Sequence, residues 1–312
     1  MNRAPHPFTL RQLQYVAAVA ERKSFRRAAE DCHVAQPSLS AQVAQVEEAL
    51  GVQLFERDKR RVALTAAGLA LLGRARALLV GADELVDAAR TLADPFAGTL
   101  RIGVIPTIGP YLLPEIAPVL RERYPKLGFV WTEDKTAVLT AKLARAELDG
   151  AILALESDIG GLPHVVLGRD PFVFAAPPGH PLAASKRPVK AVELEGEHVL
   201  LLDDGHCFRD QALAFCSNVG AEEESYRATS LATLVQMAAG GAGVTLLPAL
   251  SVPVENRRDA LTIRPFAPRV PGRTVVLAWR KGSALEVSLR AVGETMKSAY
   301  RRAEQAGPIP RA

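Results

Sequence analysis

Residues 24–51, with the sequence SFRRAAEDCHVAQPSLSAQVAQVEEALG, decide the first part of the fold. Their apolar residues recur at three- and four-residue intervals in two runs, with Ser24 before the first run, Pro37 at the start of the second and Gly51 after it. Serine caps helix N-termini, proline fits a first helical turn and glycine ends helices. With a capped helical segment before them at residues 9–20, these runs predict a three-helix unit containing a helix-turn-helix.

The third predicted helix carries neutral hydrogen-bonding side chains on the side away from its apolar stripe. Such groups can read base edges in a major groove, although a solvent-facing surface has the same composition. Two strand-like runs, residues 52–55 and 62–65, then enclose the basic sequence RDKRR. A basic hairpin beside a helix-turn-helix is typical of a wing that grips phosphates. We predict a winged helix-turn-helix over residues 1–66 that binds double-stranded promoter DNA. Its predicted contact residues are Gln36, Pro37, Ser38, Ser40, Gln42, Arg57, Lys59 and Arg60.

A long helix is predicted over residues 67–94. Six of its apolar residues follow a heptad pattern typical of a helix pair: Leu72, Ala75, Leu79, Ala82, Val86 and Ala89. This pattern indicates a linker helix that dimerises the chain, since a single small DNA-binding unit gains affinity from a symmetric partner. A helix that packs on its own domain has the same pattern and stays an alternative.

Residues 99–312 alternate strand-like and helical segments, which predicts an α/β fold with parallel sheets. The length of this part indicates two lobes with a cleft between them. No nucleotide-binding or hydrolase motif occurs, and the glycine-rich run at 240–243 follows a helical segment, so it is interpreted as a helix stop.

Composition excludes several classes of protein. Of the 312 residues, 48% are hydrophobic and 23% charged, and 38 Lys and Arg against 34 Asp and Glu give a net charge of +4. These values exclude a fibrous or disordered chain. The sequence has no apolar run of the roughly 18 residues that a membrane span needs and no apolar core of a signal peptide near residue 10, so we expect a cytoplasmic protein without a membrane partner. The three cysteines lack C-x-x-C spacing, and we expect no metal and no cofactor.

Several segments resemble the LysR-type transcriptional regulators: FRRAA at 25–29, VAQPSLS at 34–40, LGVQLFER at 50–57 and LTAAG at 64–68. In the second half, GVIPTIGPYLLP at 103–114, DGHCFRDQ at 204–211, FC at 215–216 and RATSL at 227–231 resemble OxyR, the peroxide-sensing branch of that family. The resemblance covers essentially the whole chain. The second cysteine nine positions after the first makes the OxyR match more specific than the DNA-binding motif.

This resemblance implies a winged helix-turn-helix, a linker helix and a two-lobed effector domain like that of the periplasmic binding proteins. It also implies that hydrogen peroxide is the effector, that Cys207 is oxidised and that Cys216 resolves it as a disulfide. The family's peroxide pocket carries over to Thr107, Thr136, His206, Arg209, Asp210 and, after a one-residue gap near 218–225, Arg273. RNA polymerase and further copies of the chain, in a homodimer or homotetramer, are the other implied partners.

The residues around Cys207 support a redox role independently. His206 and Arg209 flank the thiol at a predicted helix start, and cations and helix N-termini both favour the thiolate that attacks peroxide. If residues 208–216 form one helix, the two sulfurs are about 13 Å apart along the axis and half a turn apart around it. A disulfide needs Cα atoms within about 7 Å, so its formation would unwind the helix. An inert buried pair is the alternative for these two cysteines, and Cys32 is interpreted as structural.

Three functions therefore compete. The first is a peroxide-responsive DNA-binding regulator that is not an enzyme. The second is a LysR-type regulator that binds a small metabolite in the cleft, with incidental cysteines. The third is a thiol peroxidase, in which the DNA-binding half would have no purpose. A solute-binding protein is disfavoured because no signal peptide is present.

Overall fold

The computed structural model describes residues 5–57, 62–267 and 270–305, and the chain divides into two compact units. The N-terminal unit is Met1–Asp87 and the C-terminal unit is Ala88–Ala312. None of the helices in the described ranges is both long and apolar enough to cross a membrane.

The N-terminal unit has the predicted winged helix-turn-helix. Its elements are α1 (Leu10–Arg22), α2 (Phe25–Asp31), α3 (Gln36–Leu50), β1 (Phe55–Arg57), β2 (Val62–Leu64) and α4 (Ala66–Ala93). Thr9 forms a capping box at α1, the Ser24 side chain caps α2, and Gly51 ends α3 in the left-handed conformation at φ +70°. The antiparallel hairpin pairs Phe55 with Leu64. The structure thus confirms the three helices and the hairpin that local sequence signals predicted.

A buried carboxylate fastens α3 to the hairpin. Leu39, Val43 and Val46 of α3 are fully buried in the core of the N-terminal unit. Glu47, on the next turn, is 2% exposed, and its Oε1 accepts the backbone N–H groups of Leu54 (2.8 Å) and Phe55 (3.1 Å). A buried charge with two hydrogen bonds is satisfied, so α3 and β1 are held in one arrangement.

The apolar face of α4 differs from the predicted one. Leu72 is buried, and Leu79 packs against the core of the N-terminal unit, so this part of the predicted dimer seam is already occupied. The exposed leucines lie one position earlier in each heptad: Leu78, Leu85 and Leu92 are 52%, 73% and 88% exposed. Leu72 and Leu79 therefore pack within the N-terminal unit, whereas Val86 of the predicted seam is 50% exposed, because periodicity shows an apolar stripe but not what covers it. Dimerisation through α4 stays a prediction.

The C-terminal unit is an α/β structure. Its strands are β3 (Gly98–Val104), β4 (Leu127–Glu133), β5 (Gly150–Ala154), β6 (His164–Ala176), β7 (His198–Leu202), β8 (Glu222–Ala228), β9 (Val244–Pro248), β10 (Thr262–Pro265) and β11 (Gly272–Trp279). Its helices are α5 (Gly109–Arg123), α6 (Thr136–Ala144), α7 (Cys207–Ser217), α8 (Leu231–Ala239), α9 (Val252–Glu255) and α10 (Glu286–Gln305).

Two lobes share two long strands. Lobe I contains the parallel strands β3, β4 and β5, and lobe II contains β7 parallel to β8 and β9. Strands β6 and β11 are antiparallel to each other and connect the two groups in the order β4-β3-β5-β11-β6-β9-β7-β8, with β10 beside β6. The expected parallel sheets are present within each lobe, whereas the connecting strands are antiparallel. The sheet is therefore mixed.

Candidate functional site

The predicted DNA-contacting residues of α3 lie at its start. Gln36, Pro37 and Ser38 are exposed, and Ser40 and Gln42 are partly exposed. Gln45, further along the same side, accepts a hydrogen bond from Gln12 Nε2 of α1 at 3.0 Å. The predicted contacts of α3 that reach the surface are therefore all in its first two turns, where a recognition helix meets base edges.

The wing carries the other predicted DNA contacts. Arg57 is the last residue of β1, and the structure describes its backbone only. Lys59 and Arg60 lie outside the described residues. Their role in binding phosphates stays a prediction.

Both cysteines of the predicted redox pair are on α7. Cys207 is the first residue of the helix and partly exposed, whereas Cys216 is next to its last residue and 3% exposed. Both are free thiols. Nine residues of helix separate their Cα atoms by about 13 Å along the axis, and a disulfide needs about 7 Å or less. The intact helix therefore keeps the two thiols apart.

Burial also controls the chemistry of Cys216. The apolar core around it raises the pKa of its thiol from 9.0 to about 12. The thiolate is the nucleophile in disulfide formation, so the buried Cys216 is unreactive at neutral pH.

The cationic surroundings of Cys207 are weaker than the sequence suggests. Burial first, and then the Lys135 ammonium, lower the pKa of His206, so its imidazole is neutral at pH 7. The Arg209 guanidinium is buried and donates to Asp204 Oδ1 at 3.0 Å and to both Glu223 carboxylate oxygens at 2.8 and 3.2 Å. Its charge is compensated by these two carboxylates, and its contacts hold α7 against β8.

Arg273 and Thr107 form the buried centre of the predicted peroxide pocket. Arg273 is 0% exposed, and its Nη1 donates to Thr107 Oγ1 at 2.6 Å while its Nη2 donates to the Thr107 carbonyl at 2.7 Å. The guanidinium carbon is 5.9 Å from the ring centre of Phe208, the neighbour of Cys207. Phe208 in turn packs edge-on against Phe172 at 4.9 Å. The fold thus brings Thr107, Arg273 and the start of α7 together.

Thr136 and Asp210 are placed differently. Thr136 begins α6, and its hydroxyl oxygen is buried without a hydrogen-bond partner among the described residues. A buried hydroxyl without a partner is available to a small polar ligand. Asp210 is exposed on the first turn of α7. The roles of all six residues in a peroxide pocket stay predictions: Thr107, Thr136, His206, Arg209, Asp210 and Arg273.

Two residues of this region were missed from the sequence. Asp170 is 0% exposed, and its Oδ2 accepts Arg273 Nε at 3.0 Å while its Oδ1 accepts the Leu250 N–H at 3.0 Å. The sequence signal that could have identified Asp170 as buried was its position just before the apolar run 172–176. Lys135 precedes α6 and reaches the loop before Cys207, for which the sequence carried no local signal.

Gln211 weakens α7. Both polar atoms of its side-chain amide are buried and find no hydrogen-bond partner in the part of the chain that the structure describes. Each unsatisfied buried polar group costs about 1–3 kcal/mol. This cost applies only while the Gln211 amide is buried on the folded helix.

Within the described ranges, no group of three or more His, Cys, Asp or Glu side chains could hold a metal ion.

Comparisons with known proteins agree with this geometry. Residues 10–69 match the family model for the bacterial regulatory helix-turn-helix protein, lysR family, and residues 93–301 match the LysR substrate binding domain. A hydrogen peroxide-inducible genes activator from Pectobacterium carotovorum is 44% identical over 92% of this chain and 95% of its own length. A full-length OxyR variant from Pseudomonas aeruginosa is 35% identical with a TM-score of 0.74, covering 95% of this chain and 96% of that one. A hydrogen peroxide-bound OxyR variant from Corynebacterium glutamicum is 32% identical with a TM-score of 0.65, covering 97% and 95%.

Proposed function

The chain belongs to the LysR family of bacterial transcriptional regulators, in its OxyR branch, and senses peroxide; we propose that Cys207 is its sensing thiol and Cys216 its resolving thiol. The observation that carries this assignment is the placement of one partly exposed and one buried cysteine at opposite ends of α7. The exposed thiol meets peroxide first, and the buried one reacts only after a structural change.

The first step is oxidation of Cys207. Its thiolate attacks one oxygen of hydrogen peroxide, the O–O bond breaks, and an S–O bond forms to give a sulfenic acid. The departing hydroxide takes up a proton and leaves as water. Thr107, Thr136, His206 and Arg273 supply hydrogen-bonding groups that orient peroxide and stabilise the charge leaving with hydroxide.

The second step makes the signal. α7 unwinds, Cys216 ionises in water, and its thiolate attacks the sulfenic sulfur of Cys207. An S–S bond forms, the S–O bond breaks, and hydroxide again leaves as water after protonation. In total the two thiols lose two electrons and peroxide becomes two molecules of water. Because the disulfide cannot form across the intact helix, oxidation necessarily remodels lobe II.

DNA binding and assembly complete the proposal. The start of α3 reads base edges in promoter DNA, and Arg57 with Lys59 and Arg60 of the wing binds phosphates. The exposed stripe of Leu78, Leu85 and Leu92 pairs with a second copy of the chain, because it continues at heptad spacing where the core of the N-terminal unit no longer covers α4.

The setting of the regulator follows from this assembly. A homodimer through α4 supplies the two half-site contacts of a promoter, and further pairing gives a homotetramer. The protein acts in the cytoplasm on genes of the oxidative-stress response, and RNA polymerase is its transcriptional partner. It responds to peroxide once per oxidation and is not a turnover enzyme.

The two alternatives give different observations. A metabolite-responsive regulator would show effector binding that is insensitive to the state of Cys207. A thiol peroxidase would consume many equivalents of peroxide with an external reductant. Neither alternative uses both the DNA-binding unit and the arrangement of the cysteines on α7.

Two serine variants test the proposal. Cys207→Ser should abolish the effect of peroxide on promoter binding and transcription, whereas Cys216→Ser should still become a sulfenic acid at Cys207 without forming the intramolecular disulfide. Mass spectrometry after a brief peroxide pulse measures both states. Cys32→Ser is the matched control and should respond as the wild type does. A Cys207→Ser variant that still responds to peroxide would contradict the assignment.

A further inference from the structure

One lysine connects the two lobes beside the sensing thiol. Lys135 immediately precedes α6 in lobe I, and its Nζ donates to the backbone carbonyl of Asp204 at 2.7 Å in the loop between β7 and α7. The same Nζ is 3.5 Å from Asp203 Oδ2. Asp204 is three positions before Cys207, so Lys135 binds the segment that leads into α7.

The contact continues to His206. Asp203 Oδ1 is 3.0 Å from Nε2 of the neutral His206 imidazole, without hydrogen-bond alignment. Lys135, Asp203 and His206 therefore form a chain of charged and polar groups that ends at the residue next to Cys207. The His206 side chain is 6% exposed, whereas that of Lys135 is 36% exposed.

The loop backbone is shaped to accept the lysine. Gly205 has φ +88°, and an added Cβ there would lie 3.1 Å from Lys135 Cδ and 3.4 Å from its Nζ. A side chain at this position would be strained and would also crowd the lysine stem. Gly205 thus permits the close passage of Lys135 over the loop.

We propose, on the basis of the function assigned above, that Lys135 is a positioning residue for the oxidation of Cys207. Its ammonium fastens the loop before α7 to lobe I and so fixes where Cys207, the first residue of α7, lies relative to the start of α6. The effect of Lys135 on the pKa of His206 agrees with this close placement.

The second step requires this contact to be released. Unwinding of α7 moves the loop that Lys135 holds, so the lysine favours the first oxidation and opposes premature opening. Removing it should slow sulfenic acid formation while making the loop more mobile.

The test uses the full-length chain with Cys216→Ser, in which oxidation stops at the sulfenic acid. Lys135→Met should lower the second-order rate of Cys207 oxidation by about tenfold, the effect expected for losing one well-placed charge-assisted contact. Lys135→Arg, which keeps the charge and the donors, should restore the rate to within a few-fold. Lys142→Met is the matched control, because Lys142 is on α6 as well but pairs with Asp134 at 3.2 Å.

Each result decides the matter. The proposal would be overturned by any of three results for the rate of Cys207 oxidation. These are an unchanged rate in Lys135→Met, an equal loss in Lys142→Met, and a failure of Lys135→Arg to restore the rate. Amide exchange over residues 203–206 should rise in Lys135→Met and stay normal in Lys142→Met, and equal exchange in both would also overturn it. A parent protein that peroxide does not oxidise at Cys207 would instead refute the proposed function, which keeps the two failures distinct.

Discussion

Weakening α7 should accelerate disulfide formation without changing the first oxidation. Ala214 is exposed in the interior of α7, between the two cysteines, so Ala214→Gly removes helix propensity and little packing. Glycine costs about 1 kcal/mol relative to alanine at such a position, and only while the segment is helical. The equilibrium for unwinding should therefore shift by about fivefold toward the open state.

The rate of the second step should shift by the same factor. With the helix closed, the Cα atoms are about 13 Å apart, so only opened molecules can form the bond. Opening also returns the pKa of Cys216 from about 12 toward 9.0. At pH 7 this raises the thiolate fraction of Cys216 from about 10⁻⁵ to about 10⁻². In the closed helix Cys216 is therefore too rarely ionised to react.

The assay is a quenched time course at saturating peroxide, with mass spectrometry separating thiol, sulfenic acid and disulfide. Ala214→Gly should convert sulfenic acid to disulfide about five times faster than wild type, with an unchanged rate of sulfenic acid formation. Ala141→Gly, at an exposed position of α6, is the matched control and should leave the second step unchanged. An unaltered disulfide rate in Ala214→Gly, with reduced amide protection of α7 verified, would refute opening as the controlling event.

Three further predictions concern DNA, assembly and pH. Gln42→Ala should lower discrimination between promoter and random duplex by about 1–3 kcal/mol. Arg57→Ala should weaken binding to both duplexes and reduce the slope of log affinity against log salt concentration by about one. Identical effects of the two variants in competition binding would contradict this division. Leu85→Glu should release monomers in sedimentation, while Leu79→Glu should lower the melting temperature of the N-terminal unit, and an unchanged oligomer in Leu85→Glu would exclude the exposed stripe. Burial raises the pKa of Cys216, so the protonated thiol stabilises α7 fully below pH 9.0 and this contribution is lost as the pH rises toward about 12; corrected amide exchange should show this loss in wild type and not in Cys216→Ser.

The elements of the fold that depend on local chemistry could be predicted from the sequence. Thr9, Ser24 and Gly51 act within one helical turn of their positions, and the structure has helix ends at each of them. A helix start near Cys207 was also expected, from its position after Asp203-Asp204-Gly205, although His206 at the N-cap makes no side-chain capping bond. Helix caps are short-range signals, so neighbouring residues suffice to recognise them.

The remaining features depend on contacts between distant parts of the chain. The pairing of Arg273 with Asp170 joins residues 103 positions apart, and it follows from the register of two antiparallel strands that local pattern does not fix. The partners of Arg209 likewise lie on β8 and in the loop before α7. They compensate the positive charge that the sequence predicted would act on the Cys207 thiol. Residue identity indicated a cation, and only the fold shows what neutralises it.

Glu47 has a consequence for how promoters are distinguished. Its bonds to Leu54 and Phe55 make the base-reading helix and the wing hairpin move as one body on DNA. A base-pair change that shifts α3 in the major groove therefore also displaces the wing from its phosphates, and the penalties of operator changes under the two elements should be non-additive. We therefore expect the fixed offset between α3 and the hairpin to favour duplexes whose flanking groove has the matching width, so that base pairs without base contacts would contribute to recognition through their shape.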